Sequence, residues 1–231
     1  MNFNQTYQTS SDSFSKFLSR AYTYMFLGLM ITAVVALFGY NFFSHMLVSF
    51  TGMMLLAIVQ LGITVFFTSS LLTMSSATAK LCFVAYSVIT GVTLSYIPHV
   101  YGGATLAIAV LMTAIVFASM AIIGHTTHMD LSTFRPYLYS GLLAIIITTV
   151  LNAFFFRSYG LDAILNYAGI LIFLALIAYD MQKLRRLYSS SVGDFEMHEK
   201  LAVYGAFELY LDFINLFLRI LQVLSRNRRN N

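Results

Sequence analysis

Residues 200–224 read KLAVYGAFELYLDFINLFLRILQVL, an apolar run that carries ionisable and polar groups on one stripe. Tyr204, Glu208, Asp212, Asn215 and Arg219 follow one another at intervals of four, four, three and four residues. That spacing stacks them on one face of an α-helix. The remaining residues are of the kind that face lipid or fill a dry core. Charges inside a membrane are costly, so they face a bundle interior or a water-filled cavity and mark functional positions. A second carboxylate, Asp180, closes the preceding apolar run, GILIFLALIAYD. Two carboxylates in a membrane bundle point to ion or proton handling.

The composition supports such a bundle. Of 231 residues, 59% are hydrophobic and only 10% charged, against about 25% charged in a soluble domain. Mean hydropathy is +0.79. A net charge of +4 would suggest nucleic acid in a soluble protein. Here the cations flank apolar runs, so they read as topology signals and no nucleic-acid partner is expected. The partner implied by composition is the lipid bilayer. The single Cys82 allows no intramolecular disulfide.

Seven apolar runs follow in order: 21–43, 50–67, 81–97, 104–123, 137–156, 161–180 and 201–224. Each is long enough to cross a hydrocarbon core of about 30 Å at about 1.5 Å per residue. The expected fold is therefore an all-α integral membrane protein, a seven-helix bundle over residues 21–224. A polar, mobile N-terminal tail (1–20) and a basic C-terminal tail (225–231) flank it. Pro98 ends the third run, and Pro136 opens the fifth at a favoured first-turn position. With the N-terminus in the cytoplasm, the inner side holds Lys16, Arg20, Lys80, Arg135, Lys183, Arg185, Arg186 and Lys200. The outer side holds Arg157, Arg226, Arg228 and Arg229. That bias favours a cytoplasmic N-terminus. Asp180 then lies at the cytoplasmic end of the sixth helix, with Asp212 about twelve residues, ~18 Å, into the seventh.

If Asp180 and Asp212 come within hydrogen-bonding distance, they cannot both stay ionised cheaply and would titrate as one unit. A shared proton makes a closed clasp. Its loss creates repulsion and a negative site that attracts a cation. The plainer alternative is neutralisation of Asp212 by Arg219 or Lys183, with a packing role only. Glu208 and Tyr204 could extend an ion path, or Glu208 could pair with Arg219. Asn215 is expected to bond a neighbouring helix, and Arg219 to snorkel toward the interface. His125, His128 and Asp130 have loose metal-ligand spacing, but the segment reads as a polar turn with Asp130 as a helix N-cap. His45 and His99 read as interfacial loop residues. Gln60 is expected to bond a neighbouring helix, and Gly91 and Thr93 to permit close helix approach.

The strings AYDMQKLRRL (178–187) and LYLDFINLFLRIL (209–221) resemble the last two helices of the Bax inhibitor-1 family, in its bacterial branch. AIVQLGITV (57–65), TGVTLSYI (90–97) and HTTHMDLS (125–132) support the resemblance in matching order, over essentially the whole chain. It implies a seven-helix fold with the C-terminal helix central. It also implies an inner-membrane calcium leak that responds to pH through an aspartate pair, here Asp180 and Asp212, which would also contact calcium. No other cofactor is implied. Two features depart from the family pattern. Gln60 replaces a glutamate of the second helix, and TSSLLTMSSATAK holds only Lys80 where relatives carry an arginine cluster that helps latch the aspartates.

Two other function classes remain open at this point: a calcium/proton exchanger using the same groups, and a non-transporting regulator of membrane quality-control proteases. An enzyme is not expected. Tyr179-Asp180 is similar to the YD of intramembrane aspartyl proteases, but those carry GxGD around the second aspartate, where this chain has YLDF.

Overall fold

The computed structural model describes residues 3–190 and 194–229, with side chains over 14–43, 47, 49–189 and 194–226. The helices are α1 (Phe3–Phe38), α2 (Tyr40–Val48), α3 (Phe50–Ser70), α4 (Ser76–Leu94) and α5 (Ile97–Val100). They continue with α6 (Gly103–Thr126), α7 (Arg135–Leu151), α8 (Tyr159–Ser190) and α9 (Phe195–Arg229). A 3-10 turn at Leu131–Phe134 leads into α7 and a π turn at Asn152–Phe156 leaves it. Seven segments are long and apolar enough to cross a membrane, in the order of the seven apolar runs. The protein is thus an all-α seven-helix membrane protein. Of the seven, α9 has the largest buried share.

Local chemistry sets the helix ends. Ser75 caps α4 by accepting from the Thr78 amide at 3.1 Å. Asp194 accepts from the Met197 amide at 3.0 Å and opens α9. Pro136 lies in the first turn of α7, where its missing N–H costs nothing. The first span stops at Phe38, because the chain bends at Gly39 before α2.

Three expectations about chain ends change. Helix α1 begins at Phe3, so the segment expected as a mobile tail is helical and continuous with the first span. Phe17 and Ala21 are fully buried while Lys16 and Arg20 are exposed. An amphipathic stripe of that kind extends a helix past the end of its apolar run. The same holds at Asp180. Helix α8 continues ten residues beyond it to Ser190, with Met181 and Leu184 buried and Arg185 and Arg186 outside. Asp180 therefore lies inside a helix, not at its end. Residues 225–229 likewise continue α9.

The chain divides into two compact units, residues 1–100 with 184–210 and residues 101–183 with 211–231. The division cuts α8 and α9, which is why no change in composition marks it. In the first unit, Phe67, Phe83, Phe207 and Tyr210 form an aromatic core, with edge contacts of 4.8 Å (Phe67–Phe207) and 5.3 Å (Phe83–Tyr210) between ring centres. The Tyr210 hydroxyl meets Thr32 Oγ1 at 2.6 Å, and Thr32 donates to the Ser87 carbonyl. Gly91 lets α4 approach α1, because a Cβ there would stand 2.6 Å from Val35 Cβ. Gln60 Nε2 donates to Thr93 Oγ1 at 2.8 Å, joining α3 to α4. Single bonds of this kind between spanning helices contribute about 0.6 kcal/mol. Gln60→Leu should therefore cost less than about 1 kcal/mol, read from thermal unfolding in detergent by far-ultraviolet circular dichroism. A loss of several kcal/mol would mean that the bond holds α3 in place.

In the second unit, Gly124 of α6 lies against the backbone of Ala178 on α8. Phe117 meets Phe213 edge-on at 5.6 Å, and Tyr139 meets Tyr179 at 6.4 Å.

Candidate functional site

Both aspartates belong to the second unit, and each is 5% exposed. On α8, the positions Asn166, Gly169, Phe173, Leu176, Ile177 and Asp180 recur at helical spacing and form one stripe. Asn166, Phe173, Leu176 and Ile177 are buried like Asp180. On α9, Asp212, Leu216 and Arg219 share a face, with Leu216 fully buried.

Contacts along this seam give the register. Arg226 pairs with Asp162, Arg219 Nη1 donates to Asn166 Oδ1 at 3.1 Å, and the Arg219 guanidinium lies over Gly169. Numbers rise on one helix as they fall on the other, so the helices run antiparallel. The pairs 162 with 226 and 169 with 219 place Asp212 level with residue 176. Asp180 is then about one turn, ~6 Å, further along the seam. Asp180 thus lies within α8, not at the helix end where the sequence placed it, and stands near the level of Asp212 along the seam.

The unit boundary falls between Tyr210 and Leu211. Tyr204 and Glu208 are half-buried in the first unit, with the Tyr204 ring 6.1 Å from that of Phe67. Asn215 Nδ2 donates to the Leu211 carbonyl at 2.8 Å, one turn back on its own helix. The expected interhelical bond is replaced by this local one, a common alternative for short polar side chains. Arg219, half-buried, reaches across the seam to Asn166 through a notch that Gly169 leaves for it: a Cβ on Gly169 would stand 2.9 Å from Arg219 Nε. Lys183 is half-buried on α8, one turn beyond Asp180.

Asp130 caps the turn before α7, accepting from the Ser132 amide at 3.0 Å. Gln182 ties this loop to α8: its Oε1 accepts from Leu131 N at 2.9 Å and its Nε2 donates to the Met129 carbonyl at 2.6 Å. Among the described residues, no group of three or more His, Cys, Asp or Glu side chains could hold a metal ion. Tyr40 stacks on His99 at 3.8 Å, so His99 is a packing residue. The His45 side chain lies outside the described residues.

One polar cluster went unread in the sequence. In the first unit, Glu199 of α9 accepts from Arg20 Nη1 at 3.0 Å, Lys80 Nζ at 2.8 Å and the Tyr24 hydroxyl at 2.5 Å. Glu196 caps α4 through the Ser76 amide, and Lys200 Nζ donates to the Leu72 carbonyl at 3.2 Å. A glutamate just before an apolar run was the available signal, but nothing local identifies its partners.

Residues 14–229 match the model of the family described as inhibitor of apoptosis-promoting Bax1. An uncharacterized protein of Borreliella burgdorferi is 36% identical over 94% of this chain and 94% of its own length. Inner membrane protein YbhL of Escherichia coli K12 is 34% identical over 92% of each chain. An uncharacterized membrane protein of Streptococcus pyogenes serotype M1 is 32% identical over 98% of this chain and all of its own length.

Proposed function

This chain belongs to the Bax inhibitor-1 family, and from that premise we propose that it is a pH-sensitive calcium leak of the bacterial inner membrane, controlled by Asp180 and Asp212. The carrying observation is that two carboxylates, each 5% exposed, lie within helices of one compact unit, and the register of that seam sets them about one turn apart along it. Groups of this kind are costly inside a membrane protein and mark ion paths and proton relays. A proton held between them neutralises the site and closes it. Deprotonation leaves two negative charges that repel each other and attract a divalent cation. The N-terminus is assigned to the cytoplasm on the Lys and Arg bias.

Calcium entry into proteoliposomes should rise from acidic to mildly alkaline pH. Asp212→Asn removes one titrating group, so the variant should lose most of that pH dependence. Flux at wild-type level with an unchanged pH profile in Asp212→Asn would remove the aspartates from the gate. Uptake against a calcium gradient under an imposed proton gradient would make the protein an exchanger. No flux above empty liposomes would favour a regulator that acts on other membrane proteins.

A further inference from the structure

The seam between α8 and α9 carries a fixed positive charge beside the aspartates. Arg219 stands seven residues from Asp212 on the same face of α9, two turns or ~10 Å away. Its hydrogen-bond partner is the uncharged carboxamide of Asn166, a side chain with no exposed surface. Asp162, the acid at this end of the seam, already pairs with Arg226. Two cations and one anion leave this end of the seam with a surplus positive charge.

Two details show that the arginine is seated. Donation from Arg219 to Asn166 Oδ1 fixes the orientation of the amide, so Nδ2 remains a fully buried donor with no acceptor. An amide that surrenders one of its groups in order to receive a guanidinium is placed for the arginine. Gly169 is open at the point where the guanidinium lies, and a methyl group there would displace it.

We propose that Arg219 limits cation passage along this seam, as a fixed positive barrier in series with Asp212. This rests on the leak reading above. A cation that reaches Asp212 from the Arg226 end meets the guanidinium first, in an environment where charges interact far more strongly than in bulk water. At ~10 Å and an effective dielectric of about 20, repulsion of a divalent ion is enough to slow its passage by at least roughly tenfold.

The test compares wild type, Arg219→Gln, Arg219→Lys, Gly169→Ala and Asp212→Asn in proteoliposomes, with calcium as the probe, at acidic and mildly alkaline pH. Arg219→Gln keeps a donor for Asn166 Oδ1, and a matched melting profile confirms that it folds. Its calcium flux should rise about tenfold with the pH response retained, Arg219→Lys should stay near wild type, and Gly169→Ala should rise in the same direction. Arg219→Gln flux at or below wild type, with Asp212→Asn still flattening the pH profile, would overturn the barrier and leave the leak standing. Flux in Arg219→Gln but not in wild type would support the barrier. No flux in any variant would overturn both.

Discussion

Gly124→Ala should lower stability by about 1–2 kcal/mol, although alanine is the better helix former. The position is buried on α6, and its added Cβ would stand 2.6 Å from Ala178 Cα and closer still to the Ala178 carbonyl oxygen. Both are backbone atoms of α8, so no side chain can rotate away and the helices themselves must separate. Overpacking of that kind costs about 1–3 kcal/mol. The intrinsic gain from Gly to Ala in a helix, about 1 kcal/mol, offsets it only in part. Ala178 lies two residues before Asp180, so a displaced α8 moves the carboxylate as well. Gly62 is the internal control. It lies within α3 with nothing within 4 Å of an added Cβ, so Gly62→Ala should be neutral or stabilising by up to about 1 kcal/mol. The chain has no tryptophan, so far-ultraviolet circular dichroism in detergent is the suitable readout for both melts. Equal melting of the two variants would show that α6 and α8 can part at little cost.

The seven spans were legible because a bilayer imposes a length, and apolar length is written directly in the residues. Pro136 and Asp130 were legible because each satisfies a local rule: a missing N–H in a first turn, and a side-chain oxygen for an orphan amide. Gln60 was legible because a polar side chain in mid-span has few alternatives to a neighbouring helix.

Helix ends were less legible, because hydropathy and helicity part company at a membrane surface. At 181–190 the mean polarity rises, yet Met181 and Leu184 still bury themselves and keep the helix going. The placement of Asp180 within α8 followed from that and not from its own residue type. The fates of Asn215 and Arg219 needed three-dimensional information of another kind. Asn215 chose a carbonyl one turn back on its own helix. Arg219 reaches Asn166 because a glycine 50 residues earlier leaves room for it, and a glycine in an apolar run gives no hint of what fills the space beside it.

Glu199→Ala should cost about 2 kcal/mol, more than any other single charge removal in the first unit. Three donors from two other helices converge on this one carboxylate, which is 8% exposed as a residue. Their sequence distances, 119 to 179 residues, are why no local pattern revealed the cluster. Truncation leaves two cations and a phenol without their acceptor, and such a broken buried pair costs about 3–5 kcal/mol when both partners are enclosed. Here the Arg20 and Lys80 side chains are 45% and 40% exposed, so water recovers part of their solvation and the expected loss is smaller. Lys80→Met should cost less than Glu199→Ala, because Arg20 still neutralises the glutamate. In the double variant the two losses should fall short of their sum, since the lysine no longer has a lost partner to miss. Glu196→Ala supplies the comparison. Glu196 is exposed and accepts only from the Ser76 amide and hydroxyl, so its loss should cost about 1 kcal/mol or less. If Glu199→Ala melts no lower than Glu196→Ala, the convergence of charges is a surface feature and α1, α4 and α9 are held by their aromatic and glycine contacts alone.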